Sequence, residues 1–246
     1  WILDFSMSYC GAPLDLSHSK QRFQETLAHV WSGELENDGF NRLILASSLT
    51  GREISVLRAY AKYMRQTGVS FSQHYIEATL ARYPELATLL FELFKQRFSL
   101  EKPQDKAEQA ALHSKLVAGL DKVANLDDDR IIRRYMEMIE ATLRTNFYQT
   151  TDQGEYKPYI SLKMAPETIS DMPKPLPMFE VFVYSPRVEG VHLRWGKVAR
   201  GGLRWSDRSE DFRTEVLGLV KAQQVKNTVI VPVGAKGGFF VKRGDA

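Results

Sequence analysis

The chain has 246 residues, 43% of them hydrophobic, enough to bury a sizeable core in one large domain or two small ones. Its 33 basic residues face 30 acidic ones, and a net charge of +3 is too balanced for a general nucleic-acid or membrane-surface binder. Cys10 is the single cysteine, which excludes an internal disulfide and fits a reducing cytoplasm, and no apolar run approaches the roughly 18 residues of a transmembrane helix.

The opening WILDFSMSYC lacks a basic n-region and reads as the end of a strand. Residues 1–16 are therefore expected to close a preceding β-containing domain, and the chain to be a piece of a longer polypeptide. From residue 17 to about 150 the periodicity is helical. Thr50-Gly-Arg-Glu53 and Ser70-Phe-Ser-Gln73 both have capping-box form, a hydroxyl followed three residues later by Glu or Gln. Gly68 between them suits a C-terminal cap, and Pro84 is placed to open the next helix. Leu86, Leu89, Leu90, Leu93 and Phe94 then fall at i, i+3, i+4, i+7 and i+8, an apolar stripe that reads as core. Ile132, Tyr135, Ile139 and Leu143 repeat the pattern after LDDDR, whose carboxylates complement a helix dipole.

Near residue 150 the character changes. TDQGEYKP is a loop, YISLKM alternates like a strand, and Pro166, Pro173, Pro175 and Pro177 mark an extended connector. MFEVFVYS and VHLRWGKVARGGLRW are strand-like and rich in β-branched and aromatic residues. SDRSEDFRTEVLGLVKAQQVKN returns to helical spacing, with Ser206 or Asp207 as N-cap and Phe212, Val216, Leu219 and Val220 on one face; TVIVPV follows as a buried strand, then a glycine turn holding Lys236. The fold expected is α+β: an all-helical segment over 17–150, then a mixed β-sheet with one crossover helix over 151–246.

Several chemistries are absent as motifs. GAKGG lacks the GxxxxGK-Ser/Thr form of a phosphate loop, and no GxGxxG dinucleotide fingerprint occurs. His18, His29, His74, His113 and His192 are scattered without metal-site pairing, so no metal is expected. Arg130, Arg133, Arg134 and Arg144 read as a solvated helix face. What remains is concentrated late in the chain: Arg200 before Gly201 and Gly202, Lys226 ending a helix, and Lys236 among Gly234, Gly237 and Gly238. Cations beside glycines that let a ligand approach the backbone describe a carboxylate or phosphate pocket, as against glycines serving turns and cations that are merely solvated.

ARGGLRWSDRSEDFRTEVLGLVKAQQVKN followed by VIVPVGAKGG resembles the large, NAD-specific glutamate dehydrogenases, and the helical part agrees through LRAYAKYMRQTGVSFSQHYIEATLARYPELATLLFELFKQRF and DDDRIIRRYMEMIEATLRTNFYQ. The resemblance covers nearly the whole chain. It implies oxidative deamination of L-glutamate to 2-oxoglutarate and ammonia by a complete, homo-oligomeric enzyme, with 151–246 as the start of its substrate-binding domain. NAD would be bound by a Rossmann domain outside this chain, so the piece alone would be inactive. The resemblance further implies Lys236 as the catalytic lysine and Arg200, Gly201, Gly202, Lys226, Gly234 and Gly237 as substrate-binding positions. Arg200 stands where the smaller glutamate dehydrogenases have a lysine. The spacing to Lys226 differs by two residues, which leaves Lys221 or Gln224 open for the same role. The competing reading is a non-catalytic regulatory or assembly segment of a large multidomain protein.

Overall fold

A computed structural model describes residues 16–101, 105–197, 201–227 and 234–243. Helices α1 (Leu16–Trp31), α2 (Leu43–Ala46), α3 (Gly51–Gln66), α4 (Gln73–Arg82), α5 (Pro84–Phe98), α6 (Lys106–Leu120) and α7 (Leu126–Ala141) come first. Strands β1 (Thr142–Thr145), β2 (Ile160–Met164), β3 (Phe179–Tyr184), β4 (Val188–Arg194) and β5 (Leu203–Trp205) follow, then α8 (Phe212–Asn227) and β6 (Ala235–Val241). The expected α+β architecture is the one observed. The strand expected at the chain's start and the TVIVPV strand lie outside the described residues.

Local sequence explains most element boundaries. The Thr50 box forms as written, with the Thr50 hydroxyl accepting from the Glu53 amide at 3.3 Å and Glu53 accepting from the Thr50 amide at 2.8 Å. The second box does not form. Ser72 caps α4, accepting from the Tyr75 amide at 3.2 Å, and Gln73 instead bridges Lys62 and Glu77 at 2.7 Å each. Two hydroxyls stood three residues or fewer from a suitable helix start, and packing chose the later one. Gly68 takes φ +85°, the left-handed geometry a C-terminal cap needs, and Pro84 opens α5.

The helical run ends at Ala141, not near residue 150. Thr142 faces the interior, where its hydroxyl bonds to the Tyr60 hydroxyl at 2.7 Å, and Leu143 is a half-exposed strand residue. Helical spacing overran because β1 pairs with β2, a partner that lies some 20 positions downstream and leaves no local trace. Likewise α8 starts at Phe212. Ser206 and Asp207 precede it in a turn, where the Ser206 hydroxyl accepts from the Arg208 amide at 3.1 Å.

The sheet has the order β1-β2-β3-β4-β6-β5, antiparallel throughout except for the parallel β5–β6 pair. α8 is the crossover that a parallel pair requires. One sheet face carries Glu180, Phe182 and Tyr184 of β3 against the helices, and those positions alternate with partly exposed ones. Tyr63 of α3 packs on Phe182 with ring centroids 5.4 Å apart, so α3 covers β3 while α8 covers β4 and β6. Burial in the helical part centres on Tyr60, Phe91, Phe94 and Tyr135, all 2% exposed or less.

The two parts are also joined by charge. Arg58 is fully buried and grips Asp38 through Nε at 2.7 Å and Nη2 at 2.8 Å, with Asn41 Oδ1 at 2.9 Å from Nη2. Glu36, next to that cluster, accepts from Lys242 at 2.9 Å and from the Tyr184 hydroxyl at 2.8 Å. Lys242 also reaches Glu189 at 2.9 Å. Among the described residues no helix is long and apolar enough to cross a membrane.

Candidate functional site

The two glycine-flanked stretches singled out in the sequence lie side by side. β5 runs parallel to β6 with Leu203 opposite Gly237, and the Gly237 amide donates to the Gly202 carbonyl at 3.3 Å. Extending that register by one residue sets Gly202 beside Lys236. Gly201 has φ +147°, and a Cβ there would lie 1.8 Å from the Ala235 carbonyl oxygen, so only glycine lets these backbones meet. Gly202 is exposed, and among the described residues nothing lies within 4 Å of where its Cβ would be. Gly234 closes the other side, its carbonyl accepting from the Trp195 amide at 3.2 Å.

Lys236 is therefore a strand residue. A turn was expected because two glycines follow it, but those glycines serve packing inside a sheet. A Cβ on Gly237 would come within 2.4 Å of Leu203 Cδ2, and one on Gly238 within 2.5 Å of Val216 Cγ2 on α8. Glycine at 238 is what brings α8 down onto β6. Arg200 lies outside the described residues, as do the side chains of Lys226 and Gln224. Lys221 is exposed on α8.

Register fixes what surrounds Lys236. Lys236 pairs with Leu193, Leu193 with Glu180, and Glu180 with Met164, so the four form one row on the helix-covered face. Leu193, Glu180 and Met164 are fully buried, whereas Lys236 keeps partial access to solvent. Glu180 is held by the equally buried Arg213 of α8, Nε to Oε1 at 2.6 Å and Nη2 to Oε2 at 2.8 Å. Burial alone would lower the Arg213 value; the adjacent carboxylate more than offsets this and leaves it raised. The Tyr63 hydroxyl beside the pair is pushed well above its ordinary value by burial first and then by the Glu180 charge. On the reverse face His192 is lowered by burial and then by Arg194, which favours a neutral ring.

Neither Glu180 nor Arg213 was singled out from the sequence, although a signal existed. Glu180 shares strand parity with Phe182 and Tyr184, and Arg213 lies three residues before Val216 on the apolar stripe of α8. A charge at a core position needs an opposite charge in the core. The stripe itself is buried at Phe212, Val216, Leu217 and Val220, with Leu219 only partly covered. Of the basic cluster expected as a solvated helix face, Arg130 and Arg133 behave so, on Asp127 at 3.4 Å and Asp129 at 2.8 Å. Arg134 is instead largely covered and donates to the Ser170 carbonyl, and Arg144 lies on β1, where pairing with β2 took it out of the helix.

A cleft of about 1020 Å³ opens at the far end of the sheet, its lining including Arg22, Arg52, Tyr156, Tyr184, Arg187 and Val188. Val188 is five residues along β4 from Leu193, roughly 17 Å away at strand spacing, so this cleft is separate from Lys236.

Two family models match. Residues 115–246 match the bacterial NAD-glutamate dehydrogenase catalytic domain, and residues 35–100 match the glutamate dehydrogenase helical motif 3. The chain belongs to the bacterial NAD-glutamate dehydrogenase family. It is 53% identical over 244 residues to the NAD-specific glutamate dehydrogenase of Halomonas elongata and 53% over 253 residues to that of Pseudomonas aeruginosa. It is 47% identical over 253 residues to that of Mycobacterium tuberculosis. Each alignment takes in 99% of this chain but only 15–16% of the relative, so the chain spans a small part of the length of the dehydrogenases it matches.

Proposed function

We propose that this chain supplies part of the substrate side of an NAD-dependent glutamate dehydrogenase, which converts L-glutamate to 2-oxoglutarate and ammonia. The observation that supports this most is the β5–β6 register, which sets Gly201–Gly202 against Ala235–Gly237 and so gathers the two glycine stretches around Lys236. In this reading Arg200 and Lys226 hold the glutamate carboxylates, with Lys221 and Gln224 as the other candidates for the second position. The backbone at Gly202, Gly234 and Gly237 lines the approach. Lys236 acts as the base, taking a proton from the water that adds to the iminium carbon after hydride loss. Fixed cations on both carboxylates would orient the reacting carbon, which is worth several kcal/mol of barrier when the geometry is right.

NAD supplies the hydride acceptor. The described βαβ unit, β5-α8-β6, does not fit it. Its loop, SDRSED, has no glycine, and Asp211 and Glu215 stand where a pyrophosphate would meet the helix N-terminus. The cofactor is accordingly assigned to a part of the enzyme outside this chain.

The test is a pair of substitutions in the complete enzyme. Lys236→Ala is expected to lower kcat by on the order of two to four decades with NAD binding intact. Lys236→Arg is expected to be nearly as damaging, because a guanidinium holds an anion but does not give up its proton. Near-normal kcat in the arginine variant would leave Lys236 as an anchor only and move the base elsewhere.

A further inference from the structure

Glu180 and Lys236 occupy the same row, two strands apart, so their backbones are separated by about 10 Å at the usual inter-strand spacing. Both side chains are long and both lie on the face covered by α8 and α3. A free carboxylate in that row would favour the charged form of an ammonium on the same face. Yet Glu180 gives both oxygens to Arg213, at 2.6 and 2.8 Å, and is turned toward α8. The arginine is itself fixed in place. Its backbone amide donates to Gln66 Oε1 at 3.1 Å, and Gln66 Nε2 donates to the Ser209 carbonyl at 2.9 Å, which ties the start of α8 to the end of α3.

The other charges on this face are likewise committed. Glu215 of α8 is held by Arg204 of β5 and by the Ser206 hydroxyl, each at 2.5 Å. Glu210 is held by Arg65 of α3, and Glu189 of β4 by Lys242 at 2.9 Å and Lys62 at 3.8 Å. Tyr63 of α3 sits beside the Glu180–Arg213 pair, Lys221 points to solvent, and Arg194 and His192 belong to the reverse face. Among the described residues Lys236 has no ion-pair partner, while each of these carboxylates has one. A buried ion pair adds little stability over apolar residues of the same size, so stability alone does not account for Glu180 and Arg213.

We propose that Arg213 is a positioning residue that sequesters the Glu180 carboxylate and thereby keeps Lys236 free to lose its proton. The electrostatic part stands on the geometry; its catalytic meaning rests on the proposed base role of Lys236.

The test uses the complete enzyme and reads Lys236 directly. Competitive acetylation with acetic anhydride at graded pH, followed by mass spectrometry of the Lys236 peptide, gives the midpoint at which this amine becomes reactive. Arg213→Met frees the carboxylate and is expected to move the midpoint up by about one unit. Glu180→Gln leaves the arginine cation alone and moves it down, and the double variant returns it to the parent value. Should Arg213→Met fail to assemble, Arg213→Lys decides, since it keeps the cation but not the fork and so moves the midpoint up by less. An unmoved midpoint in the assembled arginine variants overturns the proposal, even if activity falls, because a structural role alone predicts lost activity without a shift. The rising limb of the kcat/KM pH profile should follow the labelling midpoint. If labelling shifts and that limb does not, the sequestering role stands and Lys236 is not the base.

Discussion

Replacing Gly201 by alanine tests whether the β5–β6 contact governs the site. The new Cβ would lie 1.8 Å from the Ala235 carbonyl oxygen, less than the 3.0 Å that real Cβ contacts respect, and the obstacle is backbone, which has no rotamer to give way. The residue would also hold φ +147°, a conformation that costs an L-amino acid about 1–3 kcal/mol. Overpacking adds roughly another 1–3 kcal/mol, for a total of about 2–6 kcal/mol. Because the strain is local, the measurement should be local. Hydrogen exchange of the peptide spanning β6 in the complete enzyme should speed up by on the order of 30-fold to 10⁴-fold, at about 1.4 kcal/mol per decade. Gly202→Ala is the control, since its Cβ meets nothing described within 4 Å and should leave exchange unchanged. Equal protection in the Gly201→Ala and parent proteins would refute the reasoning, and with it the claim that glycine is required for these strands to meet.

Three further outcomes follow from the packing. Arg58→Met should destabilise the helical part by about 3–5 kcal/mol because it strands the Asp38 carboxylate, and adding Asp38→Asn should recover much of that, both read by hydrogen exchange in α3. Burial would raise the Glu36 carboxyl, but Lys242 and Lys62 more than offset this and hold it below its ordinary value of 4.5. Its contribution is therefore full above that value and is lost as pH falls through the lower folded value, so the stability gap between parent and Glu36→Gln should close below about pH 4.5. A gap that stayed constant down to the acid transition would contradict that sign. Ser72→Ala should cost α4 about 1 kcal/mol and Ser70→Ala almost nothing, measured as loss of amide protection in that helix; the reverse order would restore the sequence-based cap.

Much of this molecule is written locally. Helices α3, α5 and α7 are legible from i, i+3, i+4 stripes and from caps such as Thr50 and Pro84, because those signals act within one turn of chain. The strands at 160–164 and 179–184 are legible from alternation, and the stretches around Arg200 and Lys236 from their glycines. Other features depended on distant partners. Thr142–Thr145 left the helix because Met164 and Leu162 were available to pair with it. Lys236 became a strand residue because Leu193 on one side and the β5 backbone on the other hold it in a ladder, a constraint that a run of glycines does not announce. The partnership of Glu180 with Arg213, 33 residues apart, was decided by α8 settling onto a glycine surface at Gly238. Sequence pattern records which faces want to be buried, since that preference belongs to each side chain. Which buried charge meets which, and what that leaves beside Lys236, is a property of register and crossover, which exist only once the strands have met.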